Sequence, residues 1–248
     1  MADAADKADG AVLIGEPDVA IVHVVSSVLH LNGYFTHSVH DGAAVLDAFA
    51  ELQPRLVILA MRLPVLDGIA VCRRLRTISG VPIVMLSVLD DQSMAARARR
   101  AGADDYIRMP FGADELAARV NAVLRRSSAA QRGAEVVESG PIVLDAGRHV
   151  VRVDGDEVML SATEFALLAY LMRNPDRVLT HDQILETVWG AAYADSRHLL
   201  RVTMSRLRQK LHPAARELIQ TLPRVGYRFR RVERVTADSQ VRVTMAMR

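Results

Sequence analysis

Four short apolar runs each end beside a residue that decides what chemistry the chain could do. The runs are AVLI, RLVILA, VPIVMLS and ADDYIR, and the residues at or just after their ends include Glu16, Ala60, Ser87 and Met109. Ligands of open parallel sheets bind outside the carboxyl ends of the strands, so these residues and Pro17 are expected to surround one pocket. The set contains no nucleophile-base pair and no full metal site. We therefore expect neither an enzyme nor a bound cofactor.

The elements that must hold this pocket follow from the hydrophobic pattern of residues 11–126. Short apolar runs alternate with amphipathic stretches such as DGAAVLDAFAEL and GADELAARVNAVLRR. Five strands alternating with five helices predict a doubly wound α/β domain, with a parallel sheet covered on both faces. Asp18 is expected in the first turn of the first helix, and Asp67 is expected to cap the third.

A different pattern follows residue 126. Residues 127–140, SSAAQRGAEVVESG, are small and polar and predict a linker. Residues 141–232 predict, in order, antiparallel hairpins, a helix begun by Thr163, a helix from Thr180 to Gly190, a helix from about Asp195 to Leu211, and two strands joined by a Pro/Gly turn. This order is typical of a winged helix-turn-helix domain.

The charge distribution indicates two modules with different partners. The chain has 248 residues and a net charge of +2. Residues 1–126 hold 13 Lys and Arg against 15 Asp and Glu, whereas residues 141–248 hold 17 against 12. The basic second module is therefore a candidate for binding nucleic acid. Residues 1–10 are expected to be a disordered N-terminus, and residues 233–248 a C-terminal tail.

Composition points to the cytoplasm. A single cysteine, Cys72, excludes an internal disulfide framework and is typical of a reducing compartment. The longest apolar run is interrupted by histidine, serine and glycine, so no membrane-spanning segment is expected. The opening MADAADKADG lacks the basic start and apolar core of a secretory signal. His23, His30, His37 and His40 lack a spacing typical of zinc sites, and we predict ordinary surface or half-buried histidines.

Ordered motifs in both halves resemble the OmpR/PhoB family of two-component response regulators. The first half carries LPVLDG, AGADDYIRMPF and ELAARVNAVLRR, and the second carries LSATEFALLAYL, MSRLRQKL and RVGYRF. The resemblance covers nearly the whole chain and implies a receiver domain followed by a DNA-binding winged helix. A working receiver of this family takes a phosphoryl group on an aspartate beside Mg²⁺, and a lysine contacts that group.

The family's motif positions imply a degenerate phosphorylation pocket. The residues at the acidic pair, the phosphoacceptor, the hydroxyl and the lysine positions are Glu16, Pro17, Ala60, Ser87 and Met109. Alanine has no nucleophile, so no aspartyl phosphate can form at residue 60. Met109 stands where the family has a lysine, directly before Pro110, which is cis in the family. The main expectation is phosphorylation-independent regulation, and the alternative is a receiver pocket that binds a small molecule and thereby tunes DNA binding.

The resemblance also implies a homodimer through the fourth helix, fifth strand and fifth helix. The residues at the family's interface positions are Asp104, Asp105, Glu115, Arg119 and Arg126. Asp105 with Arg119 is the expected ion pair, whereas Glu115 lacks its usual partner because that position holds Ala95. Exposed ion pairs are each worth about 0–1 kcal/mol, so the competing interpretation is a solvated charged surface.

The stretch DSRHLLRVTMSRLRQKL combines an apolar stripe with several arginines. Leu200, Met204, Leu207 and Leu211 recur at helical spacing, which holds the helix on its domain. The arginine-rich side is left to enter a major groove, where Arg binds guanine or phosphate. The residues expected to meet DNA on this helix are Arg197, His198, Arg201, Thr203, Ser205, Arg206 and Arg208.

The final hairpin corresponds to the wing. Pro223 stands at the family's usual arginine position and Arg224 at its usual glycine, so Arg224 is expected to take over the minor-groove or phosphate contact. Arg228 and Tyr227 are expected to support the hairpin and touch the DNA backbone. The loop WGAAYADS lies where relatives meet RNA polymerase. Together these expectations describe a dimeric regulator on paired half-sites of double-stranded DNA about one turn apart. The rival interpretation is a module that sequesters partner regulators.

Overall fold

The computed structural model describes residues 11–88, 92–129 and 136–232, which form two compact units. The first unit contains residues up to Ser128 together with Met159–Glu164, and the second contains Ala129–Val158 and the residues from Phe165 onward. The expectations for residues 1–10 and 233–248 fall outside the described residues. Within the described ranges, no helix has the length and apolar character needed to cross a membrane.

The first unit has the predicted alternation of five strands and five helices. Its elements are β1 Val12–Gly15, α1 Val19–Leu31, β2 Thr36–Val39, α2 Gly42–Leu52, β3 Leu56–Ala60, α3 Gly68–Ile78, β4 Ile83–Ser87, α4 Gln92–Ala101, β5 Asp105–Arg108 and α5 Ala113–Ala129. The sheet is parallel throughout, in the order β2-β1-β3-β4-β5. All residues of β1, β3 and β4 are buried, as helices on both faces of a sheet require. The doubly wound prediction is confirmed.

Aspartates begin two of these helices. Asp67 accepts a hydrogen bond from the Ala70 amide at 2.8 Å and caps α3, as predicted. Asp18 accepts from the Ala20 amide at 2.8 Å and is the N-cap of α1, so the expectation that it lies inside the first turn is corrected by one residue. Its carboxylate binds backbone amides that no intrahelical carbonyl can reach, which explains the position.

The second unit is a winged helix preceded by a small sheet. Its elements are β6 Val136–Ser139, β7 Ile142–Asp145, β8 Val150–Val153, β9 Asp156–Glu157, α6 Ala162–Arg173, β10 Val178–Thr180, α7 His181–Trp189, a 3₁₀ turn Ala191–Tyr193, α8 Arg197–Lys210, α9 Pro213–Arg216, β11 Ile219–Leu222 and β12 Gly226–Phe229. The first residues of α6, up to Glu164, are grouped with the first unit. The four-stranded sheet β6-β7-β8-β9 is antiparallel, and β10 pairs with the terminal hairpin in the order β10-β12-β11. Thr180 caps α7 through a reciprocal capping box with Gln183, as the sequence predicted.

Two predicted boundaries are corrected. The expected linker at 127–140 carries secondary structure at both ends, since α5 continues to Ala129 and β6 begins at Val136. Strand β6 pairs antiparallel with the next strand, β7, with Ser139 opposite Ile142. It was not predicted, because the small and polar residues of 127–140 indicated a linker. Helix α6 begins before Thr163, because Ser161 and Glu164 exchange hydrogen bonds between their side chains and backbone amides.

Candidate pocket and nucleic-acid interface

The carboxyl ends of the strands in the first unit enclose a small cavity. Ala60 ends β3 and Ser87 ends β4, while Glu16 and Met109 directly follow β1 and β5. These residues and Pro17 all line one cavity of about 170 Å³. The structure therefore brings the five predicted pocket residues together, because parallel strands deliver their carboxyl ends to the same edge of the sheet.

Glu16 is the buried acid of this cavity. It is 3% exposed, and its Oε1 accepts a hydrogen bond from the Asp18 amide at 3.1 Å. Its Oε2 is buried and has no hydrogen-bond partner among the described residues. Burial raises the pKa of the Glu16 carboxyl above its ordinary value, and the Asp18 amide counteracts part of this. The cavity thus has one acid with an unsatisfied oxygen.

Residue 60, which the resemblance assigns to the phosphoacceptor position, holds a buried methyl group. Ala60 is 5% exposed, and the start of α3 packs tightly against its backbone. A Cβ added to Gly68 would lie 2.0 Å from the Ala60 carbonyl oxygen, so only glycine fits there. On the opposite side, the Met109 amide donates to the Ser87 carbonyl at 2.7 Å, and the Met109–Pro110 peptide bond is cis. Ala60 and Met109 thus lie at the carboxyl ends of β3 and β5, and neither side chain carries a charge.

Other acids near the pocket have different tasks. Asp18 and Asp67 cap helices, and neither is among the residues that line the cavity. In the part of the chain that the structure describes, no group of three or more His, Cys, Asp or Glu could hold a metal ion. Of the four early histidines, His30 lies 2.9 Å from the Thr36 hydroxyl, and His40 lies 3.0 Å from the Glu16 carbonyl oxygen.

Asp104 is a buried structural acid, which corrects its expected place on a dimer surface. Its carboxylate binds Arg76 at 2.5 Å and accepts from the Ile83 amide at 2.9 Å. Burial works to raise the pKa of Asp104, but Arg76 and the hydrogen bonds outweigh it and hold that pKa below the ordinary value. Arg76 was missed by sequence reasoning, because its partner lies 28 residues further along the chain.

The remaining expected dimer residues are divided between surface and interior. Arg119 lies 3.0 Å from Glu115, one helical turn away on α5, and 3.4 Å from Asp105 on β5. Both ion pairs form within one chain, so Glu115 has a partner that the sequence did not reveal. The Asp105 side chain is 5% exposed, and Arg126 is also 5% exposed. Only Glu115 and Arg119 of the predicted five keep substantial exposure, and the predictions for Asp105 and Arg126 as surface residues are corrected.

Helix α8 separates an apolar side from a basic one. Leu199, Leu200, Met204 and Leu207 are buried, together with Leu211 just after the helix. The exposed residues that were expected to meet DNA are Arg197, His198, Arg201 and Ser205, and Arg206 is half-buried. A helix held by such a stripe presents its opposite side to a groove.

Two residues predicted to meet DNA have internal roles in the structure. Thr203 is 5% exposed and its hydroxyl donates to the Leu199 carbonyl at 3.0 Å, so it lies on the buried side of α8, contrary to the prediction. Arg208 is half-buried, and its Nη2 donates to the Ile219 carbonyl at 2.6 Å and to the Thr221 hydroxyl at 2.8 Å. Arg208 therefore joins α8 to β11.

The terminal hairpin presents one basic residue at its tip. Arg224 is exposed and has a φ of 64°, a left-handed conformation that favours glycine. Arg228 donates from Nε and Nη2 to Gln220 Oε1 on the neighbouring strand, at 3.0 and 2.7 Å, which supports the hairpin. Tyr227 packs beneath Arg208, and burial raises the pKa of its hydroxyl while Arg208 and Arg201 lower it less.

Two family models match the chain, one for each unit. Residues 12–121 match the response regulator receiver domain, and residues 155–229 match the C-terminal domain of transcriptional regulatory proteins. A mutant form of RitR has a similar solved structure, with a TM-score of 0.77 at 24% identity, covering 90% of this chain and 99% of that one. This likeness supports the fold.

Two groups of mycobacterial relatives match this chain over most of its length and most of their own. The sensory transduction protein RegX3 of Mycobacterium tuberculosis is 39% identical over 222 residues, which are 88% of this chain and 98% of the relative. The DNA-binding response regulator MtrA of Mycolicibacterium smegmatis is 38% identical over 219 residues, 88% of this chain and 95% of the relative. With both domain models in order and this identity across both units, the chain belongs to the OmpR/PhoB family of two-component response regulators.

Proposed function

We propose that this response regulator binds promoter DNA in sequence-specific fashion without phosphorylation of its receiver. The observation that carries the proposal is Ala60, a buried methyl group at the carboxyl end of the central strand β3. Aspartyl phosphate formation needs a carboxylate at that point and Mg²⁺ to offset the charge of the transferring oxygens. The cavity retains only Glu16 of the family's acids.

The proposed DNA surface consists of the exposed side of α8 and the tip of the hairpin. Arg197, Arg201 and Ser205 recur every four residues on one side of α8, and Arg224 stands on the hairpin turn. Arginine binds phosphate or the guanine edge equally well, and phosphate contacts would make the affinity depend strongly on salt. The relative MtrA is named as a DNA-binding response regulator, which supports the same role here.

The remaining parts of the proposal follow the family. The regulator works in the cytoplasm, is not an enzyme, and binds paired half-sites as a homodimer through the receiver surface of α4, β5 and α5. Glu115 and Arg119 are the residues of the predicted set that the fold leaves exposed for this purpose. The loop after α7, residues 189–196, is the proposed meeting point with RNA polymerase.

Phosphodonor treatment tests the central claim. The full chain is incubated with Mg²⁺ and labelled acetyl phosphate, and its DNA affinity is measured before and after. We expect no stable label and an unchanged affinity. The matched control is the triple variant Pro17→Asp, Ala60→Asp, Met109→Lys, which restores the acids and the lysine and should become labelled. Stoichiometric labelling of the native chain together with a changed affinity would overturn the proposal.

A further inference from the structure

The receiver cavity opens beside an apolar groove. The groove has a volume of about 500 Å³ and is lined by residues of α1 and of the segment after β5, including Val24 and Phe111. Ile21, Val88 and Met109 line both the cavity and the groove. Val24 is 51% exposed and Val88 is 61% exposed, so apolar side chains stand in water at this edge. Contiguous exposed apolar surface next to a cavity commonly marks a ligand site.

One polar group in this apolar setting lacks a partner. Glu16 lines the cavity, its residue is 97% buried, and its Oε2 receives no hydrogen bond from the described residues. A carboxyl oxygen in an apolar setting is stabilised by a hydrogen-bond donor that reaches it. Met109 stands where relatives of this family place a lysine, so the chain supplies no ammonium group from that position.

Size and polarity define what would fit. A cavity of about 150 Å³ holds a benzene molecule, so the 170 Å³ cavity accepts a group of similar size. The groove offers further apolar contact beyond it. The Glu16 carboxylate favours a positively charged hydrogen-bond donor and disfavours an anion. Arg62 carries the one positive charge among the described residues that line the cavity, and its side chain is exposed to solvent. An apolar molecule with one ammonium group satisfies these conditions.

We propose that the receiver pocket binds a small organic amine, whose ammonium group donates to Glu16 and whose apolar body fills the cavity and the adjoining groove. The ligand class follows from the unsatisfied carboxyl oxygen, the apolar lining and the cavity volume together.

Three probes of matched shape test the proposal on the full chain, without DNA or phosphodonor. 2-Phenylethylamine, 2-phenylethanol and 3-phenylpropanoate are titrated by calorimetry and by NMR of the ¹³C-labelled methionine methyl groups. Ligands of this size bind in the millimolar range at best, so titrations extend to about 10 mM. We expect the amine to bind about tenfold more tightly than the alcohol, to shift the Met109 methyl signal, and the carboxylate to show no binding.

Variants locate the site and separate charge from packing. Glu16→Gln should weaken amine binding about tenfold and change alcohol binding less than about threefold, because it removes the charge and keeps the shape. Ala60→Leu should abolish binding of both probes by filling the cavity. Met109→Lys should also abolish amine binding, because its own ammonium group would take the place of the ligand's beside Glu16. This variant also tests the site if Glu16→Gln fails to fold. Glu51→Gln, an exposed acid on α2, is the matched control and should change nothing.

Equal binding of amine and carboxylate would overturn the proposal, as would unchanged amine affinity in both Glu16→Gln and Met109→Lys. Absence of any binding by the amine up to the highest concentration would do the same. None of these measurements involves DNA or phosphate. Their failure would leave phosphorylation-independent DNA binding untouched, and labelling of the native chain would not bear on them.

Discussion

Asp104 is an acid of the interior, although the resemblance implied a place on a dimer surface. Its carboxylate lies inside the first unit against Arg76, whose Nε also donates to the Gly102 carbonyl at 2.8 Å. A buried ion pair of this kind adds little net stability over apolar residues, but breaking it leaves an uncompensated charge. The pair therefore fixes the junction of α3 with the segment before β5 more than it contributes to total stability.

Asp104→Asn should destabilise the first unit by about 3–5 kcal/mol, since Arg76 would stay buried without its counter-charge. Urea unfolding of the full chain measures this free energy from the transition in which the first unit unfolds. Asp47→Asn, an exposed acid on α2, serves as the control and should stay within about 0.5 kcal/mol of the native chain. A loss below about 1 kcal/mol for Asp104→Asn would show that the pair is solvated in solution.

Asp104 also makes the free energy of unfolding depend on pH in the acid range. The pKa of Asp104 is lower in the folded state than its ordinary value of 3.8, so folding favours the ionised form. Its contribution to stability is fully present above that ordinary value and is lost as the pH falls through the lowered folded-state pKa. Unfolding free energies measured from pH 6 downward should therefore fall more steeply for the native chain than for Asp104→Asn. Parallel curves would contradict this assignment.

Arg224 combines backbone strain with charge at the wing. A non-glycine residue with φ near 64° accepts a conformational cost, and the exposed guanidinium is what the chain gains from it. Arg224→Asn tolerates the left-handed conformation but removes the charge. It should weaken DNA binding at every sequence and lower the slope of log affinity against log salt by about 1. Fluorescence anisotropy over a salt series measures both.

The control for that experiment is Arg148→Gln, which removes an 80% exposed arginine from the turn between β7 and β8 and leaves the terminal hairpin intact. Its salt slope should match the native value. An unchanged slope for Arg224→Asn would mean that the hairpin tip does not reach the phosphates.

At the scale of elements, the two sides of helix α8 are expected to have different roles, the exposed side in DNA binding and the buried side in stability. Arg201 is exposed and Thr203, two residues later, is buried with its hydroxyl bound to the Leu199 carbonyl. Arg201→Ala should weaken specific DNA binding by about 1–3 kcal/mol and leave unfolding unchanged. Thr203→Val, similar in shape, should leave DNA affinity unchanged. Fluorescence anisotropy gives the DNA affinity of both variants, and urea unfolding gives their stability. If Thr203→Val is folded but binds DNA as weakly as Arg201→Ala, Thr203 contacts the DNA and the assignment is wrong.

The elements themselves could be predicted from the sequence, because hydrophobic period and capping residues are local signals. The parallel sheet, the cap at Asp67 and the capping box at Thr180 all follow from residues a few positions apart. The pocket at the strand ends followed as well, since topology alone places it. The Arg76 partner of Asp104 could not be predicted, because it lies 28 residues away in the sequence. Strand β6 was missed for a different reason: it pairs with the strand that directly follows it, but residues 127–140 are small and polar and predicted a linker. Thr203 was misplaced because family positions do not reveal where a side chain packs.

At the scale of the whole molecule, charge and assembly are linked. The basic second module should bind DNA with marked salt dependence, whereas the first module carries no excess of positive charge. Arg119 already pairs with Asp105 and Glu115 inside one chain, so the surface expected to dimerise has partly satisfied its own charges. The Arg119–Glu115 pair is exposed, and such pairs contribute only about 0–1 kcal/mol. We therefore expect a weak receiver contact unless DNA holds two chains together.

DNA with two half-sites should therefore bind two chains cooperatively, and the cooperativity should depend on helical phase. Half-sites obtained by selection from random oligonucleotides are placed one turn apart, about 10–10.5 base pairs, and then separated by about half a turn more. Sedimentation of the chain alone and with each duplex measures the stoichiometry. We expect mostly monomer without DNA, two chains on the in-phase duplex, and at least about a tenfold loss of affinity for the second chain when the phase is changed. Equal affinity at both spacings would mean that the chains bind independently, and the homodimer part of the proposed function would fall.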